Sequence, residues 1–357
     1  MTRTNEIHIS DVRTFRACRR RWDWASGMRQ NLERIIPYAP FFTGKAIHAA
    51  LEFHYQDSTT FESTLDKYLE REWANVESLG TLWPAEINVL EEQIDLIYKL
   101  LNHYRLWVAW DTRNYSDANL EFLHMEYPFE VEMPGLDGVK VGGRFDGIVK
   151  HRKTDKIWVF ETKTARSIQQ LIATLTLDEQ CTLYTWAAKQ AFGEDVEGVL
   201  YNVLRKKAPA TPSYLQSGLF SKNKAIDTTH LHFRSCIQED FPGWFEETIE
   251  EEYGEVLQAL VPNEQKFFMR FPVKRSEVEI EMMLQGLRST AVEMLNPQIS
   301  IYPAPSFMTC NFCTFKSPCI AMNQGSNYKV LLDAEFQPRE SATSMRPDKE
   351  DEDVGEV

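Results

Sequence analysis

The 357-residue sequence has no uninterrupted apolar stretch long enough to span a bilayer. Its opening, MTRTNEIHIS, lacks the apolar run of a secretory signal. These two absences lead to the expectation of a soluble, cytoplasmic protein. Positive charge is in deficit: 39 Lys and Arg stand against 53 Asp and Glu, a formal net charge of −14. Part of that is local, because Asp348 to Val357 holds six acids and one lysine and so contributes −5, leaving −9 on the rest. Such a chain is a poor non-specific coat for nucleic acid. A phosphate loop is missing as well. Gly44-Lys45 has no upstream glycine at the required spacing, and Ala46 stands where the motif needs Ser or Thr, so nothing supports an ATPase. Cysteine is sparse, at six residues, and a disulfide framework does not suit a reducing compartment. No internal repeat is visible.

Hydrophobic residues make up 43 % and aromatics 12 %, enough for a packed core. Residues 7–36 predict a helix, with Ser10 as its cap and Phe15, Cys18 and Trp22 at helical spacing. Residues 44–116 predict a helical region in which Ile94, Ile97, Leu101, Tyr104 and Val108 form one apolar face. Near residue 120 the period changes to that of strands: LEFLHMEYPFEVEM, a PGLDG turn, VKVGGRFDGIVK, a polar HRKTD turn, and KIWVFETKT. One or two helices over SIQQLIATLTLDEQCTLYTWAAKQAF and a strand in VEGVLYNVLRK follow, closing a sheet core at 120–207. The order implies an α/β fold, a mixed sheet with helices against it. Residues 208–300 predict a long connection followed by helix, and 301–325 form a cysteine-bearing segment. The whole predicts a single domain over 1–336 and a disordered acidic tail over 337–357.

Within the sheet core, Glu161 and Lys163 share one face of a strand. A hairpin around HRKTD brings Asp146 beside them. Two carboxylates and a backbone carbonyl make an oxygen-rich pocket for a hard divalent cation, with the lysine placed to orient a water or offset charge on a phosphate. The alternative is a cross-strand salt bridge on a solvated face. Gln180 and Tyr184, four apart, lie on one face of the next helix and could brace the lysine. His48 could complete a carboxylate site or be an ordinary core histidine.

Taken in order, His48, Gly143-Arg144-Phe145-Asp146, Glu161-Thr162-Lys163 and Gln180-x-x-x-Tyr184 resemble the PD-(D/E)XK nuclease superfamily. The branch most similar is that of RecB-type nucleases with a C-terminal cysteine cluster, over roughly residues 7–325. This resemblance implies that His48, Asp146, Glu161 and the Thr162 carbonyl hold Mg²⁺ or Mn²⁺, that Lys163 is the catalytic lysine, and that Gln180 and Tyr184 support the site. It implies a deoxyribonuclease, in exonuclease mode on single-stranded or end-opened DNA, from a bacterial or phage-infected cell, with a helicase or recombination protein as a candidate partner. Phe145 stands where the superfamily name has proline.

Cys310, Cys313 and Cys319 crowd into one short segment, as zinc and iron–sulfur sites require. Cys18, Cys181 and Cys236 are the available fourth ligands. The resemblance implies Cys18 and a 4Fe-4S cluster, with Zn²⁺ as the alternative, and such a staple would close a very long loop. Basic stretches at Arg16/Arg19/Arg20/Arg21, Arg205-Lys206-Lys207 and Arg270/Lys274/Arg275 are candidate phosphate contacts, with Tyr214, Phe220, Phe267 and Phe268 as candidate stacking platforms. Rival readings are a non-cutting DNA-binding accessory subunit and a zinc-stapled scaffold for protein partners.

Overall fold

A computed structural model describes residues 6–35, 39–57, 65–66, 68–70 and 84–339. The chain divides into two compact units, one of residues 1–38 and 290–357, the other of residues 39–289. Among the described residues no helix is long and apolar enough to cross a membrane.

The first unit begins with strand β1 (Glu6–His8), helices α1 (Ile9–Ala17) and α2 (Arg19–Ala25), and strand β2 (Leu32–Arg34). Where one helix was predicted there are two, because Cys18 is extended, at φ −166° and ψ 112°. His8, rather than Ser10, stands at the start of α1 and makes no side-chain cap.

The second unit holds α3 (Ala39–Asp57), α4 (Pro84–Trp110), β3 (Leu120–Glu132), β4 (Lys140–His151), β5 (Ile157–Ala165), α5 (Ile168–Leu175), α6 (Glu179–Phe192), β6 (Val196–Arg205), α7 (His230–Asp240), α8 (Glu246–Leu260), a short turn α9 (Glu264–Phe267) and β7 (Phe268–Lys274). Helix α10 (Glu277–Leu295) follows. The remaining elements of the first unit are α11 (Phe307–Asn311), α12 (Lys316–Asn323), α13 (Tyr328–Glu335) and β8 (Phe336–Pro338).

In the second unit the sheet is mixed. β3 pairs antiparallel with β4, β4 antiparallel with β5, β5 parallel with β6, and β6 antiparallel with β7. β7 departs from the expectation of helix and loop over 208–300. Its sequence, FMRFPVK, has the aromatic and β-branched character of a strand, and its proline suits a strand at the edge. Helix α3 packs on β3, β4 and β5, and α6 packs on β3, β5 and β6. The predicted apolar face of α4 is inside: Ile97, Leu101 and Tyr104 are buried, and Ile94 and Val108 pack against the same cluster. Ring packing beneath β4 is tight. Phe129 and Phe145 stack at 4.3 Å, and a Cβ at Gly143 would fall 2.6 Å from the Phe129 ring, so only glycine fits there.

In the first unit Trp24, Phe315, Leu332 and Phe336 form a small core, with Cys313 and Cys319 packed against it. β2 and β8 pair antiparallel, Arg34 opposite Phe336. The expected tail at 337–357 therefore starts with two residues in a strand, and residues 340–357 lie outside those described.

One buried polar knot lies behind the second unit's sheet. Arg270 of β7 has a side chain only 2 % exposed. Its guanidinium donates to the Tyr115 carbonyl at 2.6 Å and to the hydroxyls of Tyr55 at 3.0 Å and Tyr104 at 3.3 Å, and it pairs with Asp117. Tyr104 in turn donates to the Asn202 side chain at 3.1 Å. The expected role of Arg270 in DNA contact is corrected here: the charge is spent inside the fold. The same holds for Phe220, Phe267 and Phe268, all buried and so closed to stacking on bases.

Removing one partner of such a pair leaves a buried charge uncompensated. Arg270→Met is expected to destabilise the chain by about 3 kcal/mol, read from a denaturant-unfolding midpoint. Adding Asp117→Asn to that variant should recover part of the loss.

Candidate metal centre and lysine site

Five elements converge on one site in the second unit: α3, β3, β4, β5 and α6. The β4–β5 ladder runs from Lys150↔Ile157 to Gly147↔Phe160 and stops there. Just past its end Asp146 turns its carboxylate to the neighbouring strand, and its Oδ2 accepts the Thr162 backbone N–H at 2.8 Å. The same oxygen lies 3.3 Å from Nδ1 of His48, which α3 carries. The expected His48–Asp146 meeting is therefore present, between residues nearly a hundred apart in sequence.

Glu161 and Lys163 do share a face of β5. Lys163 Nζ donates to Glu161 Oε1 at 2.6 Å. Gln180 closes the triangle: its Nε2 donates to the same Glu161 oxygen at 2.9 Å, and its Oε1 accepts from Lys163 Nζ at 3.2 Å. Gln180 is held because Asp178 caps α6, accepting the Gln180 N–H at 2.9 Å. The other Glu161 oxygen, Oε2, is buried and has no hydrogen-bond partner among the described residues. Tyr184, one turn on from Gln180, donates to the Arg144 carbonyl at 3.0 Å and sets its ring edge against Phe129 and Phe145. It braces the β4 backbone beside Asp146.

Glu126 was not foreseen. Ligand atoms of His48, Glu126 and Asp146 all lie within 4.8 Å of one another, a group that could hold a metal ion. Glu126 has φ +46°, in the left-handed region that a glutamate rarely adopts. It sits on β3 between Met125↔Gly147 and Tyr127↔Phe145, hence across from Asp146. Counting back through the PGLDG turn gives that register from sequence alone, and this was the available signal.

The charges are in conflict. Burial raises the Glu161 carboxyl to about 7, and Asp146 adds to this, against the pull of Lys163 and His48. Burial likewise lifts Glu126 to about 7, with Asp146 and Glu52 adding repulsion. Burial also works against charge on Asp146, but His48, Lys163 and the Thr162 amide overcome it and hold this carboxyl below its ordinary value. For His48 burial opposes the charged form, yet Asp146 and then Glu161 outweigh it and raise the imidazole to about 9. Lys163 keeps its proton, since Glu161 and Asp146 overcome the cost of its burial.

The model of the PD-(D/E)XK nuclease superfamily matches residues 7–320. The chain belongs to this superfamily. No curated protein matches the chain. The superfamily's nuclease fold accords with the mixed sheet flanked by helices described above.

The expected basic surface is largely occupied. Arg205 grips Asp227 through two hydrogen bonds of 2.7 and 3.1 Å, and Lys207 joins the same carboxylate at 2.6 Å. Lys274 pairs with Glu197. Arg275 donates to Thr182 Oγ1 at 2.9 Å and the Leu175 carbonyl at 2.7 Å. In the first unit Arg16 donates to Thr290 at 2.9 Å, Arg19 pairs with Glu293 at 2.5 Å and Arg20 donates to Asn323 at 2.6 Å.

Because the folded pKa of His48 lies above its unfolded value, its stabilisation is complete below about pH 6.5 and is lost as pH rises through about 9. Proton NMR of ion-free protein should show the His48 ring titrating near pH 9, and Asp146→Asn should bring that midpoint down to the ordinary histidine range or below.

Proposed function

We propose that the chain is a divalent-cation-dependent deoxyribonuclease of the RecB-type branch. The observation that carries this reading is the Glu161–Lys163–Gln180 triangle lying beside the His48–Glu126–Asp146 group in a chain of a nuclease superfamily. A solvated salt bridge, the alternative reading of Asp146, Glu161 and Lys163, accounts poorly for a Glu161 that is 2 % exposed.

The donor set suits Mg²⁺ or Mn²⁺: hard carboxylate oxygens, one imidazole, and a buried Glu161 oxygen left without a partner. His48, Asp146, Glu161 and the Thr162 carbonyl would hold the ion, and Glu126 joins them. When bound, such an ion supplies Lewis acidity at the phosphoryl oxygen and lowers the pKa of a coordinated water. The chain's own residues supply the rest. Lys163, protonated and fixed by Glu161 and Gln180, presents its ammonium to negative charge building on phosphorus. Gln180 sets the position of that ammonium, and Tyr184 fixes the backbone that carries Asp146. Exonuclease action on single-stranded or end-opened DNA, alongside a helicase or recombination partner, is the mode we favour.

Cys18, Cys310, Cys313 and Cys319 all belong to the first unit and none is in a disulfide. Cys18 Sγ accepts the Ala304 N–H at 3.5 Å, and Cys319 Sγ accepts from Arg20 at 3.5 Å, contacts that favour thiolate ligands. A 4Fe-4S cluster is the occupant we favour, with Zn²⁺ at the same four cysteines as the alternative.

Labelled single- and double-stranded DNA should be cut by the wild type with Mg²⁺ or Mn²⁺, and Lys163→Ala should lose at least ~100-fold of that rate. A wild type that leaves both substrates whole with every metal ends the enzyme reading. Separately, protein purified without air should contain iron and absorb near about 400 nm, and Cys310→Ser should lose both. Zinc in place of iron would overturn the cluster assignment.

A further inference from the structure

We propose that Arg144 changes partner at the candidate metal centre: it pairs with Glu126 in the ion-free protein, and it binds a phosphodiester of the DNA strand once a divalent cation claims Glu126. The inference rests on the nuclease reading for the identity of the anion, whereas its tests read cation and DNA binding without cleavage.

The placement follows from β4. Arg144 stands two residues before Asp146, roughly 7 Å along the strand at ~3.4 Å per residue, and on the same face, with buried Phe145 on the other. Its Nη1 lies 3.5 Å from Glu126 Oε2, at the outer limit of a hydrogen bond. That is the guanidinium's one polar contact among the described residues, and 36 % of the side chain is exposed. Lys163 is held far more firmly, at 2.6 Å from Glu161 and by Gln180 as well. The backbone under Arg144 does not share this looseness. Its carbonyl accepts from Tyr184 at 3.0 Å, and the Phe129 ring fills the space beside Gly143. A fixed root with a lightly held head is what a side chain needs to exchange one oxygen partner for another.

The charges give the exchange its direction. Asp146 and Glu52 crowd Glu126 with negative charge, and His48 and Arg144 oppose it. A carboxylate that coordinates a divalent cation holds a monovalent one less strongly, and a guanidinium beside that cation is repelled. Arg144 would then stand unpaired where the phosphate of the substrate arrives. A planar guanidinium can give two parallel N–H donors to one phosphate, a better match than its single long contact to Glu126. Lys163 serves Glu161 and Arg144 serves Glu126, so the two cations do not compete for one place.

The test uses the full chain. Mn²⁺ affinity of the DNA-free protein is read from the electron paramagnetic resonance of the free ion, for wild type, Arg144→Gln and Arg144→Lys. Arg144→Gln removes the competing partner of Glu126 and is expected to bind Mn²⁺ about 5-fold more tightly. DNA affinity is read by anisotropy of a fluorescent single-stranded oligonucleotide over a salt series, with every chain carrying Lys163→Ala so that the DNA stays whole. With Mn²⁺ present, Arg144→Gln should weaken binding about 10-fold and lower the slope of log K against log salt by ~0.7, one phosphate contact. Without Mn²⁺ the arginine stays on Glu126, and the loss should be several times smaller. Arg144→Lys keeps the charge but not the planar fork, so its Mn²⁺ binding should stay near wild type while its DNA binding with Mn²⁺ falls by part of that amount.

Tighter Mn²⁺ together with weaker DNA binding in its presence supports the exchange, since a residue that only shaped the pocket would weaken both. Weaker or unchanged Mn²⁺ binding in Arg144→Gln overturns it, as does DNA affinity unchanged with Mn²⁺ present. A loss equal with and without Mn²⁺ also overturns it, by making Arg144 a fixed contact. Wild-type cleavage beside unchanged variant binding removes the exchange and leaves the nuclease reading standing. The two opposite shifts, beside DNA that the wild type cuts with no metal, remove that reading and leave the exchange.

Discussion

One carboxylate oxygen organises the site. Asp146 Oδ2 accepts the Thr162 N–H at 2.8 Å and faces His48 Nδ1 at 3.3 Å, so a single atom ties β4, β5 and α3. The tie is needed where it falls. The regular β4–β5 pairing has ended at Gly147↔Phe160, and the Thr162 amide would otherwise be a buried donor short of a partner. Burying the aspartate costs desolvation, and the amide and the imidazolium offset that cost at once. With Asp146 fixed, the strand alternation of β5 sends Glu161 and Lys163 to one face, and the cap of α6 delivers Gln180 to both of them.

The same concentration of acids leaves the site under electrostatic strain. Glu126 and Glu161 are both lifted to about 7, while Asp146 is held down beside them. Glu126 adds backbone strain at φ +46°. Such features persist where the surrounding structure over-determines them, and here it does: the Phe129–Phe145–Tyr184 packing and the long β3–β4 ladder fix the backbone on either side. A divalent cation among these carboxylates would turn mutual repulsion into coordination, and binding free energy would then appear as stability.

Much of this was legible in the sequence. The first four core strands declared themselves because alternation survives when one face is buried, and the apolar face of α4 kept a helical period. Asp146, Glu161, Lys163 and Gln180 were legible because their spacing matches strand and helix geometry, and His48 because the resemblance supplied it. β7 was hidden by its length and by Pro272 between helices. The break at Cys18 has no proline or glycine to mark it, only a backbone that turns extended where a sulfur accepts the Ala304 amide. Glu126 reads locally as a solvent-facing strand residue. Its position emerges only when the register is counted across the hairpin to Asp146.

The basic residues show why charge is the weaker guide. A lysine or arginine in a sequence carries the same sign whether it faces solvent, an aspartate or the interior. Arg270 looked like a phosphate contact and is instead enclosed by three tyrosines and Asp117, with its long stem and planar head filling space a lysine would leave open. Arg205 and Lys207 flank Lys206 in sequence yet turn to Asp227, since alternate residues leaving a strand point to opposite sides. In a chain with 53 acids and 39 bases, many cations among the described residues are claimed by a nearby carboxylate, as Arg205, Lys207, Arg270 and Lys274 are.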